Sequence, residues 1–337
     1  MLTGFDLPAG AEAHEPPELR GHGRDDVRLM VSRSGTGAVS HHGFRGLPEL
    51  LDPGDVLVVN TSATLPAAVP AVEPAGLVAH FSTELPDGAW LVEVRRAEGD
   101  STVRHHGREP RLRLPGGALL DLEPAPSDGE RLRRARLDRP VLPYLRAHGR
   151  PIAYGYVHGP RHIGEYQTVF AAHPGSAEMP SAARPFTAEL VLRLAVRGVL
   201  ITPITLHTGV ASAEYDEAPY PERYRVPAAT ADLVTQARAA GRRVVAVGTT
   251  VVRTLESAVA DDGTVRAATG WTDLVLAPPA RPRAVTGLLT GLHEPRASHL
   301  LMLSTFAGED LLARCYVEAL DRGYRWHEFG DLHLLLP

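Results

Sequence analysis

After Gln167 the chain repeats one pattern: a short apolar run, a turn, then an amphipathic stretch that a glycine closes. This alternation constrains the fold more than any other feature. Val199 to Leu206 and Arg243 to Val247 are too short for helices and too apolar for a sheet with a wet face, so they read as strands covered on both sides. Thr187 to Arg197 places Leu190, Val191 and Leu194 on one face and ends at Gly198, and Ala229 to Ala240 ends at Gly241; both read as helices. Thr250 to Ala260, Ser298 to Phe306 (with Ser298 as cap) and Asp310 to Leu320 are predicted helices. Leu274 to Leu276 and Ala284 to Leu288 read as strands, as do Arg28 to Ser32 and Val56 to Val59 nearer the start. Strands alternating with helices predict an α/β fold with a largely parallel, covered sheet.

The character changes between about residues 71 and 150. Short apolar stretches such as Trp90 to Val94 and Arg111 to Leu114 alternate there with Gly and Pro turns, the pattern of a small β-rich domain. The expected organisation is therefore a discontinuous large α/β domain, 1–70 and 151–337, with an inserted domain at 71–150. From Arg95 to Arg150 there are 13 arginines against 8 acidic residues, whereas the whole chain carries a net charge of −5. All the basic residues are arginine, so arginine richness by itself says little about nucleic acid. Gly149 to Gly164 is rich in glycine and aromatics and reads as a loop, and the first twenty residues, with Pro8, Pro16 and Pro17, read as an irregular arm.

Composition excludes several classes. No apolar run is long enough to span a bilayer, and the opening MLTGFDLPAG lacks the basic-then-apolar order of a secretory signal, so a cytoplasmic protein without membrane contact is expected. Cys315 is the lone cysteine, which rules out an intramolecular disulfide or a zinc site of several thiolates, and no other metal-ligand spacing is present.

Four constellations carry possible chemistry. Gly248-Thr249-Thr250 lies between a predicted buried strand and a helix, where unpaired amides and hydroxyls hold anions; a plain helix cap looks the same. Thr205-Leu206-His207-Thr208-Gly209 ends a predicted strand, the usual place for ligands in open α/β sheets, and its histidine is either an acid–base group or one satisfied by backbone. Leu292-His293-Glu294-Pro295-Arg296 delivers side chains to a helix start, or is an ordinary loop. Tyr215-Asp216-Glu217 with Glu222-Arg223-Tyr224 pairs carboxylates with aromatics, as a cation site or a solvated loop would. Asp331, in Phe329-Gly330-Asp331, is a further carboxylate.

Taken together, these segments resemble the S-adenosylmethionine:tRNA ribosyltransferase-isomerases of queuosine biosynthesis. The resemblance runs from Phe5-Asp6-Leu7-Pro8 through Pro53-Gly54-Asp55, Tyr166-Gln167-Thr168-Val169, Thr205-Leu206-His207, Gly248-Thr249-Thr250 with Val252-Arg253, and Gly287-Leu288-Leu289-Thr290 to Phe329-Gly330-Asp331. It implies a barrel-like large α/β domain with an inserted small β-barrel domain. It also implies that S-adenosylmethionine serves as a ribosyl donor. The ribosyl unit passes to the aminomethyl group of 7-aminomethyl-7-deazaguanine in tRNA and becomes an epoxycyclopentanediol, while adenine and methionine leave. No metal is expected. Such chemistry needs a base near the carbon beside the sulfonium, a donor for departing adenine, and carboxylates or aromatic faces near the sulfonium. His207, His293 and Glu222 are the candidate catalytic groups; Asn60, Thr205, Gly248, Thr249, Thr250, Arg253 and Asp331 are the candidate binding groups for S-adenosylmethionine.

The sequence departs from the family's usual pattern in several motifs. Asn60-Thr61-Ser62-Ala63 and Pro66-Ala67-Ala68 stand where Asn-Asp-Thr-Arg and Pro-Ala-Arg are usual, so two arginines are alanine here. Pro180-Ser181-Ala182-Ala183-Arg184-Pro185-Phe186-Thr187 stands where Pro-Thr-Ala-Gly-Leu-His-Phe-Thr is usual, so a histidine is Pro185. Arginine is the usual ligand of phosphate and carboxylate. The acceptor therefore stays open between tRNA and a small molecule, with a lyase or a non-catalytic S-adenosylmethionine- or RNA-binding protein as the other readings.

Overall fold

A computed structural model describes residues 5–99, 101–124, 130–210, 220–295 and 297–337. Tyr215-Asp216-Glu217 and Arg296 lie outside the described residues. The predicted α/β class holds. The main sheet has nine strands, in the order Ala268–Thr272, Glu222–Val226, Leu200–Leu206, Val56–Asn60, Val244–Val247, Gly287–Gly291, Leu332–Leu336, Arg28–Arg33 and Ala38–Gly43.

Its centre is parallel, as the alternation requires: Leu57 lies opposite both Ile201 and Val245, and Ala246 opposite Leu288. Val56–Asn60 and Val244–Val247 are wholly buried because helices cover both faces. The period of two divides their side chains. Val56, Val58, Val244 and Ala246 join one core with the helices Ala228–Ala239, Thr249–Ser257, Ser298–Ala307 and Glu309–Asp321. Leu57, Val59, Val245 and Val247 join the opposite core with Ala188–Val196 and the Phe44–Leu51 segment.

The flanks carry antiparallel pairs beside the parallel pair of Arg28–Arg33 with Leu332–Leu336, which makes the sheet mixed rather than largely parallel. Glu222–Val226 runs against Leu200–Leu206 and Ala268–Thr272, and Leu332–Leu336 runs against Gly287–Gly291. The helix caps follow chemistry: Thr187 Oγ1 accepts from the Leu190 N–H at 3.1 Å, and Gly198 and Gly241 take positive φ. Three further expectations change. Ser298 is the first helical residue and Ala297 the cap, Leu274 to Leu276 is not a strand while its neighbour Ala268–Thr272 is, and the strand expected over Ala284 to Leu288 runs Gly287–Gly291.

The second sheet is antiparallel, ordered Ala68–Pro70, Leu77–Glu84, Trp90–Glu98, Leu132–Leu137, Ala118–Leu122, Arg111–Leu114, with Ser101–Arg104 paired to Trp90–Glu98. Bonds from the Arg113 N–H to the Glu73 carbonyl (2.8 Å) and from the Val72 N–H to the Arg113 carbonyl (2.8 Å) nearly close it into a barrel. Val69, Phe81, Trp90, Val92, Leu112 and Leu120 fill it. Its many arginines are largely paired on its own surface, Arg111 with Asp121 and both Arg134 and Arg136 with Asp87. Among the described residues no helix is long and apolar enough to cross a membrane.

Candidate active site

The parallel strands end at Asn60, Leu206 and Val247, and their carboxyl ends build the site, as expected for an open α/β sheet. Asn60 is fully buried and clasps these ends together. Its Oδ1 accepts from the Leu206 and Ser62 N–H groups, both at 3.0 Å, and its Nδ2 donates to the Leu206 carbonyl at 2.9 Å and toward Thr250 Oγ1 at 3.4 Å. Beside it, Ser62 Oγ lies 2.7 Å from His207 Nδ1 and 2.6 Å from Ser176 Oγ. Burial, followed by the Arg223 charge, pushes the His207 imidazole down to about 4, so it is neutral at pH 7. Gly175 makes room for that ring: a Cβ there would lie 2.4 Å from His207 Nδ1.

A cleft of about 560 Å³ opens above these ends, within the range of small-molecule sites. The helix Thr249–Ser257 points its N-terminus into it, with Gly248 at φ 95° turning the chain from strand to helix. Glu222 and Arg253 form a buried ion pair on one wall. Glu222 also accepts from the Gly209 N–H at 3.0 Å, and Arg253 donates to the Leu274 and Thr272 carbonyls at 3.1 Å each. Burial outweighs the arginine, so the Glu222 carboxyl titrates above its ordinary value. His293 lines the cleft with Nε2 2.9 Å from Thr290 Oγ1, stacked on His299 at 4.5 Å, and burial pushes its imidazole well below the usual range.

The facing wall is aromatic and acidic. Tyr154, Tyr156 and His327 stack in a column, with centroids 5.8 Å and 4.0 Å apart. Tyr156 donates to Glu328 Oε2 at 2.9 Å, and Tyr154 donates to Glu178. The opening arm holds this wall together. The Trp326 N–H bonds the Ala11 carbonyl and the Ala13 N–H bonds the Trp326 carbonyl, while His14 Nδ1 lies 2.7 Å from the Tyr156 carbonyl. The barrel supports the same cleft: Arg131, paired with Glu93 at 2.9 Å, donates to the Val210 carbonyl at 3.2 Å.

The structure thus gathers Glu222, Gly248, Thr249, Thr250, Arg253 and His293 around one cleft. It does not bring Asn60, Thr205, His207 or Asp331 to the lining. Asn60 and His207 lie behind it as described, and Thr205 Oγ1 bonds Thr61 Oγ1 at 2.9 Å. Asp331 is a structural clamp, accepting from the Arg28 N–H at 2.7 Å, Arg28 Nε at 3.0 Å and the Arg325 N–H at 2.8 Å. Arg253 is engaged by Glu222 and two carbonyls rather than held open for a substrate anion. Arg184, next to Pro185, packs 1 % exposed against Glu18 and over the Phe329 ring. Among the described residues no group of three or more His, Cys, Asp or Glu is placed to hold a metal.

The chain matches the model of the family described as queuosine biosynthesis protein over residues 3–335. It belongs to that family. It is 38% identical to the S-adenosylmethionine:tRNA ribosyltransferase-isomerase of Symbiobacterium thermophilum over 98% of both chains. It is also 38% identical to the protein of the same name from Anaeromyxobacter dehalogenans, over 99% of both. A crystal structure of S-adenosylmethionine tRNA ribosyltransferase from Thermotoga maritima superposes with a TM-score of 0.57 at 29% identity, covering 100% of each chain. Full-length agreement with this queuosine family supports the tRNA-modifying reading over the small-molecule and non-catalytic ones.

Sequence reasoning missed Tyr154, Tyr156, Glu178, His327 and Glu328. The aromatic-rich stretch from Gly149 to Gly164 was a signal for the first two, given a cationic substrate centre. Nothing local joins them to His327 and Glu328, which only the fold brings across.

Proposed function

We propose that this enzyme of queuosine biosynthesis binds S-adenosylmethionine in the cleft and transfers its ribosyl unit to 7-aminomethyl-7-deazaguanine in tRNA. Adenine and methionine leave, and the transferred unit becomes an epoxycyclopentanediol. A reaction on tRNA supports the cytoplasmic location expected from the sequence. The observation that carries the residue-level reading is that one cleft holds both an anion seat and a cation-compatible wall. S-adenosylmethionine needs both, for its carboxylate and its sulfonium.

In this reading the first-turn amides and hydroxyls of Thr249 and Thr250 take the methionine carboxylate, because unpaired N–H groups and the helix dipole favour an anion. His293, kept neutral by burial, accepts the proton from the carbon beside the sulfonium. Glu222, locked by Arg253 and Gly209, presents a fixed carboxylate to the same space. Asn60 and His207 position the strand ends from behind.

The test is the fate of label. S-adenosylmethionine labelled in the ribosyl carbons should leave its label in the tRNA, and methyl-labelled donor should leave it in free methionine. Methyl label in the tRNA would refute the reading.

A further inference from the structure

Several carboxylates among the described residues are neutralised by an arginine or by several backbone amides. Glu93 pairs with Arg95 and Arg131, Asp55 with Arg243, Asp331 with Arg28 and Glu222 with Arg253, while Glu256 accepts from the N–H groups of Arg283, Ala284 and Val285. Glu328 has neither. Among the described residues, Tyr156 is the side chain bonded to it, and the carboxylate lines the cleft. Beside it, His327 holds a positive φ of 72°, uncommon for a residue with a side chain, and stacks flat on Tyr156 at 4.0 Å. The Glu328 carboxylate thus faces the cleft, against the stacked rings of Tyr154, Tyr156 and His327.

We propose that Glu328, with the Tyr154–Tyr156–His327 column and Glu178, forms a subsite for a small organic cation. The proposal rests on the proposed function, which supplies two such cations at the reacting centres, the sulfonium of the donor and the protonated aminomethyl group of the acceptor base; the donor's α-ammonium goes with its carboxylate to the Thr249–Thr250 end. An aromatic column beside a carboxylate attracts a poorly hydrated cation by ring quadrupole and by charge. Burial pushes the Glu328 carboxyl up to about 7, so it shares its time between neutral and charged forms at neutral pH. The titratable groups facing it are Tyr154, Tyr156 and Tyr166, His327 with Glu294 3.3 Å from its Nε2, and Glu178 beyond Tyr154. The tyrosines stay neutral through this range and burial holds His327 down to about 4, so Glu328 is the group that changes charge near pH 7. A cation favours the carboxylate, so binding releases a proton, and affinity rises with pH until Glu328 is ionised in the free protein.

The experiment is isothermal titration of the full-length protein from pH 5.5 to 8.5 with S-adenosylmethionine and with S-adenosylhomocysteine. These ligands differ only in the sulfur methyl and the charge it creates, and the methyl does not titrate, so the pH dependence of their affinity ratio reports on the charge. A parallel arm uses an anticodon stem-loop RNA carrying either 7-aminomethyl- or 7-cyano-7-deazaguanine. The expected result is a cation-over-neutral preference, in one pair or the other, that grows by up to about tenfold per pH unit below about 7 and then levels off. Glu328→Gln should flatten that pH dependence and cut the preference about 10-fold or more. Tyr156→Phe, which keeps the carboxyl but removes a bond that favours its charged form, should move the midpoint to higher pH. Whichever pair responds identifies the cation. Ratios independent of pH in both pairs, or unchanged in Glu328→Gln, would overturn the subsite and leave the proposed function standing. Binding of neither adenosyl ligand to the unaltered protein would overturn both.

Discussion

Replacing Arg253 with methionine keeps the apolar stem and removes the guanidinium from the cleft wall. Arg253 is 9 % exposed, and the Glu222 side chain it pairs with is 13 % exposed. The substitution leaves a carboxylate in a site that already disfavours charge, and frees the Leu274 and Thr272 carbonyls that Arg253 now bonds at 3.1 Å. Removing one partner of a buried pair costs about 3–5 kcal/mol. Both partners line the cleft rather than the core, so the lower end, about 3 kcal/mol, is expected. Adding Glu222→Gln removes the stranded charge. The double variant should recover about 1–2 kcal/mol over R253M, a coupling of the size seen between residues in one network. Urea unfolding followed by tryptophan fluorescence measures both, provided the slope with denaturant is unchanged. A loss below about 1 kcal/mol for R253M, or a double variant as unstable as the sum of the singles, would refute the reading of this pair as a structural wall.

Other outcomes follow from the same geometry. Gly248→Ala places a Cβ in ordinary contact with Thr250 Oγ1 at 3.5 Å, so its cost comes from φ 95° with ψ 154°, a region kept for glycine; stability should fall by about 1–3 kcal/mol, with weaker S-adenosylmethionine binding in equilibrium dialysis. His293→Ala should slow single-turnover adenine release by about 10²–10⁴-fold with an unchanged circular dichroism spectrum, and a wild-type rate would remove it as the proton acceptor. His207→Ala, acting through Ser62 and Ser176, should lose up to about 10²-fold; His207→Asn, which can still bond Ser62, should restore much of that, and no rescue would mean that the ring itself is needed. Affinity for tRNA should fall steeply with salt, with a log–log slope beyond about −3 if several phosphates are contacted; a flat response would remove tRNA as the acceptor.

The parts of the fold that the sequence made legible are those set by local periodicity. Val56 to Val59, Val199 to Leu206 and Arg243 to Val247 alternate between two cores, and glycines mark the helix ends. The Gly248-Thr249-Thr250 junction lies where the alternation puts it, with its side chains in the cleft. Elements defined by partners far along the chain were not legible. Glu222–Val226 reads as a charged loop because Arg223 and Arg225 mask the buried Tyr224 and Val226. Leu332–Leu336 hides a fully buried His333, made tolerable by a 2.8 Å contact with Ser32 Oγ, about 300 residues away. Asp331 shows the limit of reasoning from residue type: a carboxylate suited to a ligand is spent on Arg28 and the Arg325 amide. The aromatic–acidic wall is the clearest case, since Tyr156 and Glu328 lie more than 170 residues apart and the opening arm bonds both of their segments.

The most direct test of the central claim is mass spectrometry on pure protein incubated with S-adenosylmethionine, with and without tRNA bearing 7-aminomethyl-7-deazaguanine. The account predicts adenine and methionine in equal amounts only when tRNA is present, and a nucleoside from that tRNA heavier by the rearranged ribosyl unit. Adenine released equally without tRNA, or tRNA of unchanged mass after S-adenosylmethionine has been consumed, would contradict it.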